Sequence, residues 1–278
     1  MSDGLDIRRI LVAVEAASGG PEAVRAAAEL TARLGAELDV LVVEDVDLLR
    51  ASALPYVRHV TMPGSRGKFE LAAIEREMRS LAASIRRLLE ERPAGTRLAW
   101  SMRVSRGQLV REITAAAERA DLVVLESVSR PLVPHLRIAS AARAAMARLL
   151  RPVFLMPPGM AAAEHVLMLY EGGVQADKSL GAAASFARTM AADLVVLAHG
   201  GTDEERTALG TRARAILAAE GIDARIQGIA RADAARLCTL AREKPHTLLV
   251  LSAERLARYN ESERALIDRL DCPLLLVR

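Results

Sequence analysis

Short apolar runs alternate with helical patterns along the whole chain. Ile10-Leu-Val-Ala-Val is followed by a helical stretch over Pro21–Leu34, then by Leu38-Asp-Val-Leu-Val-Val. Shifted by 156 positions, the order returns without a gap: His165-Val-Leu-Met-Leu-Tyr, a helix predicted over Ser179–Met190, then Leu194-Val-Val-Leu-Ala. Glu15 falls on Glu171, Leu34 on Met190 and Leu38 on Leu194. Each half carries a further apolar run, Asp121-Leu-Val-Val-Leu or Thr247-Leu-Leu-Val-Leu, and closes on Pro152-Val-Phe-Leu-Met or Pro273-Leu-Leu-Leu-Val. Continuous apolar runs separated by helices predict parallel strands buried on both faces, joined by right-handed crossovers. With the weaker runs at Ala99–Val104 and Ala224–Ile229, each half has five strands.

The intervening helices carry an apolar stripe. Leu71, Ile74, Met78, Leu81, Ile85, Leu88 and Leu89 recur at three- and four-residue spacing. Pro157-Pro158-Gly159 interrupts the chain, which predicts a first domain over residues 1–158, a linker over 159–164 and a shorter second domain over 165–278. The halves differ most at residues 45–68, an insertion of the first half. It holds apolar anchors together with Arg58, His59, Arg66 and Lys68, and reads as a surface loop or a docking element.

Composition narrows the function. The 278 residues are 51% hydrophobic but only 3% aromatic, so Ala, Val, Ile and Leu must build the core. So few aromatics argue against a base-stacking platform. The net charge is +3, and only three of the 38 cations are lysines: Lys68, Lys178 and Lys244. Arginines alternate with Glu and Ala, as in Glu75-Arg76-Glu77, which reads as solvated, ion-paired helix faces rather than a nucleic-acid surface. Two cysteines outside any CxxC pair give no disulfide framework. The absence of an 18-residue apolar stretch and of a leader pattern predicts a cytoplasmic chain that does not span a membrane.

Several residues combine into a family likeness: the Ile10-Leu-Val-Ala-Val start, the Arg106-Gly107 turn opening a helix, Ala120-Asp121-Leu-Val-Val-Leu, and the Arg151-Pro152-Val-Phe-Leu finish. In these features the chain resembles the universal stress protein family, once per half. The resemblance implies an α/β fold of two tandem five-stranded, parallel-sheet, Rossmann-like domains packed as a pseudo-dimer. It also implies pairing through the last strands, either between halves or between chains as a homodimer.

Nucleotide-binding members carry an aspartate at the end of strand one and a G-x2-G-x9-G-[ST] phosphate loop after strand four. Counting back from Pro152, the matching positions are Glu126, Ser129, Ala139 and Ser140, and Glu15 stands where the aspartate would be. All three glycines are replaced. Backbone N–H groups must approach phosphates closely, and Ser129 and Ala139 add Cβ atoms there. A Glu126 carboxylate about 6 Å from a phosphate, at an effective dielectric of about 20, costs on the order of 2–3 kcal/mol, roughly two decades of affinity. The second half, reading Ser252-Ala-Glu-Arg-Leu-Ala-Arg-Tyr-Asn-Glu-Ser, has no glycine. Asn260 or Ser262 reads as the cap of a following helix.

Gly172-Gly-Val-Gln-Ala-Asp177-Lys178-Ser179 nearly fits a P-loop, but Asp177 replaces its second glycine and reads as a helix cap. Histidines 59, 135, 165, 199 and 246 show no metal-ligand spacing. His135 and His199 lie where α/β ligands bind but read as surface residues. No cofactor is expected, and no catalytic residue is identified. The preferred expectation is a non-catalytic stress-response or regulatory protein that binds a protein partner or small ligand, with 45–68 as a docking element. An adenine-nucleotide protein using an altered first-domain site is the alternative, and a slow nucleotide hydrolase is a weaker third.

Overall fold

The computed structural model describes residues 6–16, 20–52, 58–60, 66–68, 71–91, 98–126, 148–157, 163–260 and 272–278. The first-half strands are β1 (Arg9–Glu15), β2 (Glu37–Asp45), β5 (Trp100–Gly107), β6 (Leu122–Glu126) and β7 (Val153–Met156). Those of the second half are β8 (His165–Tyr170), β9 (Asp193–His199), β10 (Arg225–Ile229), β11 (Thr247–Ser252) and β12 (Leu274–Val277). All ten lie in one sheet, in the order β10-β9-β8-β11-β12-β7-β6-β1-β2-β5. Pairing is parallel within each half. The halves meet through the antiparallel pair β7 and β12, with Leu275 opposite Phe154. Of the two arrangements left open, the last strands pair within the chain. Each is then flanked on both sides, and the sheet edges are β5 and β10. Because the junction is antiparallel, the C-terminal strand ends of the two halves face opposite ways.

The sequence pattern explains the packing. In β1, Ile10, Val12 and Val14 join one core and Leu11 and Ala13 the other, as the two-residue period of a strand requires. On the first face lie α1 (Pro21–Leu34), α3 (Leu71–Glu90), α5 (Val174–Met190) and α6 (Asp203–Ala219). Met78, Ile85 and Leu89 of the predicted stripe are buried there. The opposite face carries α4 (Leu109–Ala117) and α7 (Ala234–Arg242), and Cys238 is buried beneath α7. The first core crosses the junction: Phe154 of β7 stacks on Phe186 of α5, with centroids 6.0 Å apart.

Helix ends follow local chemistry. Pro21 opens α1 behind Gly20, and Gly35 closes it in the left-handed conformation at φ +66°. Thr202 and Glu205 form a capping box at α6.

Three expectations need correction. The first helix of the second half begins at Val174, five residues before the predicted start. Its cap is Gly173 at φ +88°, so Asp177 lies inside the helix and caps nothing. Residues 45–68 are not all loop: they contain α2 (Val46–Ser52) and an antiparallel pair, β3 (Arg58–Val60) with β4 (Arg66–Lys68), separate from the main sheet. A short helix, α8 (Ala253–Arg258), follows β11 directly, capped by the Ser252 side chain. Residues 261–271, with the expected cap at Ser262, lie outside the described residues, as do residues 159–162 of the expected linker.

Candidate functional site

Ligands of open parallel sheets bind beyond the carboxyl ends of the strands, and each half has such a crown. In the first half the parallel register sets Ala13 beside Leu125, so the ends of β1 and β6 lie together, carrying Glu15 and Glu126. Both side chains are half-buried. Glu126 Oε2 accepts a hydrogen bond from the backbone N–H of Gly20, the residue capping α1, at 3.1 Å. A helix N-terminus attracts negative charge, and here the chain's own carboxylate takes that place. Burial raises the Glu126 pKa above the usual carboxylate value; the Gly20 N–H opposes the shift and nearby Glu22 adds to it.

Ser129, Ala139 and Ser140, the other degenerate phosphate-loop positions, lie outside the described residues, as does His135. The Arg106-Gly107 turn does end β5 before α4. A Cβ at Gly107 would meet the Glu112 side chain, whose carboxylate accepts a hydrogen bond from the Ser105 hydroxyl, so a larger residue there obliges that side chain to move.

The crown of the second half is built differently. Glu171, the counterpart of Glu15, follows β8. Arg255 of α8 donates from Nη1 to Glu171 Oε1 at 2.9 Å and from Nη2 to the Ala232 carbonyl at 2.5 Å. Its guanidinium carbon lies 4.9 Å from the centroid of the Tyr259 ring, and the Tyr259 hydroxyl donates to the same carbonyl at 3.1 Å. His199 is half-buried rather than a surface residue. Its Nε2 lies 3.9 Å from Glu171 Oε1, and its Nδ1 is 3.2 Å from the Ile229 carbonyl oxygen. Arg258 approaches Glu171 Oε2 at 3.8 Å. Sequence reasoning paired Glu171 with Glu15 but missed Arg255. Its only signal was an arginine placed where the fourth strand gives way to a loop without glycine.

Beside this crown, Asp177 accepts from the Tyr170 hydroxyl at 2.5 Å and from Arg212 Nη2, also at 2.5 Å, tying β8 and α5 to α6. Burial raises the Asp177 pKa, but the bonds from Arg212 and Tyr170 outweigh it and leave the group below its ordinary value. Burial, then Asp177, pushes the Tyr170 phenol well above the usual tyrosine value. The P-loop-like stretch thus spends its acidic residue on structure.

An open groove of about 780 Å³ lies at the other end of the second-half strands, lined by His165, Asp193, Val195, Arg225 and Lys244 among others. Among the described residues, no group of three or more His, Cys, Asp or Glu side chains is arranged to hold a metal ion. No helix among them is long and apolar enough to cross a membrane.

Comparison with solved structures gives the same fold. A universal stress protein from Archaeoglobus fulgidus DSM 4304 superposes with a TM-score of 0.70 at 14% identity, covering 96% of each chain. A putative universal stress protein from Pseudomonas aeruginosa UCBPP-PA14 gives 0.60 at 16% identity, over 99% of this chain and 95% of that one. The cytoplasmic domain of a prokaryotic cation chloride cotransporter gives 0.55 at 13%, over 97% and 95%. At such identities the likeness is one of fold. No curated protein matches the sequence. The sequence model of the universal stress protein family matches residues 6–157, more than half of the chain. By that match, the chain belongs to the universal stress protein family.

Proposed function

We propose that this chain is a non-catalytic stress-response or regulatory protein of the cytoplasm. It acts by binding a protein partner or small ligand and does not hold ATP through a phosphate loop. One observation carries the reading: the Glu126 carboxylate sits on the Gly20 N–H at the mouth of α1. An incoming triphosphate would have to displace or repel this fixed negative charge. Glu22 in the first turn of α1 adds to the repulsion. In the second half, Arg255 already neutralises the carboxylate that replaces the aspartate of nucleotide-binding members. The residues described in both crowns therefore fit a nucleotide poorly. The docking element in this reading is 45–68, whose helix and two-stranded sheet have no counterpart between β9 and α6.

Equilibrium binding of ATP, ADP and AMP, with and without Mg²⁺, tests the proposal. Affinities weaker than millimolar are expected for all three. Micromolar ATP binding that is abolished by Ser140→Ala would overturn it in favour of an altered nucleotide site.

A further inference from the structure

Arg255 is gripped on three sides by groups of different chemistry: the Glu171 carboxylate, the Ala232 carbonyl and the face of Tyr259. A carboxylate and a carbonyl set for separate N–H groups, under an aromatic face, suit a planar delocalised guanidinium better than a compact ammonium. His199 stands behind the carboxylate, its ring placed between Glu171 and the Ile229 carbonyl. Glu171, Ala232 and His199 belong to the ends of sheet strands and their following turns, so these walls of the cage stand on the rigid part of the half, while Tyr259 ends the segment that carries Arg255.

The occupant stands on something less firm. Helix α8 has six residues, and none is buried. Arg255 and the adjoining Tyr259 bind this segment to the crown, with Leu256 packed only partly buried against the core beneath. The fit is also incomplete, because Arg255 Nε is buried with no hydrogen-bond partner among the described residues. Arg258, 59% exposed and 3.8 Å from Glu171 Oε2, is placed to keep the carboxylate neutralised when Arg255 moves away.

We propose that Glu171, the Ala232 carbonyl and Tyr259 form a guanidinium-binding site, filled in cis by Arg255 and able to accept an arginine side chain of a partner protein in exchange. The site goes beyond the regulatory reading above and does not depend on whether nucleotide binds.

The experiment is calorimetric titration of N-acetyl-arginine amide into the wild type and Arg255→Ala, with N-acetyl-lysine amide as the control. One molecule of the arginine probe binds the variant at least tenfold more tightly than the wild type, whose site is already filled. The lysine probe binds the variant at least tenfold more weakly than the arginine probe. Adding Glu171→Gln to the variant removes the binding. Equal binding to wild type and variant, or equal binding of the two probes, overturns the proposal. Should Arg255→Ala fail to fold, Arg255→Lys keeps a cation against Glu171 but lacks a second fork for the Ala232 carbonyl. The arginine probe then binds that variant more tightly than the wild type, and equal affinity overturns the proposal.

Discussion

The ion pair between Glu171 and Arg255 makes a quantitative prediction about stability. The two side chains keep only 17% and 15% of their exposure, at a separation of 2.9 Å. Truncating Arg255 to Ala leaves the carboxylate largely desolvated without its main partner. Removing one member of a buried pair costs about 3–5 kcal/mol. The lower end applies here, about 3 kcal/mol, because His199 and Arg258 remain within 4 Å of the same carboxylate. If the chain unfolds as one unit, at 2–4 °C per kcal/mol, the midpoint falls by roughly 6–12 °C. Replacing both members by Met is milder than the single change, costing about 1 kcal/mol or less, because no charge is then stranded. Urea unfolding at pH 7, followed by far-UV circular dichroism, measures both variants. Their m-values should match the wild type, so that midpoints report stability. An Arg255→Ala cost below about 0.5 kcal/mol, the range of exposed pairs, or a double variant worse than the single, would refute the reasoning.

The remaining predictions concern other packed polar contacts. In an alkaline absorbance titration, Tyr170 ionises well above the ordinary tyrosine range, and Tyr170→Phe removes that late step; a late step unchanged in the variant would contradict the buried Tyr170–Asp177 bond. Because folding raises the Glu126 pKa, its contribution to stability is fully present below the usual value of 4.5 and is lost as pH rises through the folded-state pKa. Glu126→Gln, which keeps an acceptor for Gly20, is therefore at least as stable as the wild type at pH 7, with the difference fading below pH 4.5; a loss above about 1 kcal/mol at pH 7 would show that the charge is favourable there. Gly200→Ala places a Cβ 2.8 Å from Glu205 Cβ and 3.1 Å from the Arg206 amide nitrogen. Overpacking of this kind costs about 1–3 kcal/mol by urea unfolding, and a neutral result would mean that the start of α6 shifts freely.

The interior strands were legible because a parallel sheet covered on both faces leaves an unbroken apolar run, from Ile10–Val14 to Leu274–Val277, whereas the edge strands β5 and β10 are partly exposed and left only weak runs. The repeat at 156 residues was legible for the same reason, since each half must satisfy the same burial. Local chemistry misled at Asp177. Aspartate is a favoured cap, but the helix starts behind Gly173, whose positive φ only glycine readily adopts. Asp177 instead answers to Tyr170 and to Arg212, which lies 35 residues away. The Glu171–Arg255 contact spans 84 residues, and one sequence offers many arginines to choose from. Helix α2 and the β3–β4 pair were too short for any apolar period to develop.

The antiparallel seam between β7 and β12 bears on how the two ends of the molecule can differ. In an assembly of two identical chains, any substitution appears twice and must suit both places at once. Covalent tethering lifts that restriction and makes the joint independent of concentration. One pole can therefore carry 45–68 while the opposite pole carries a guanidinium cage. A partner arriving at one end of the strands therefore meets a different chemical surface from a partner arriving at the other.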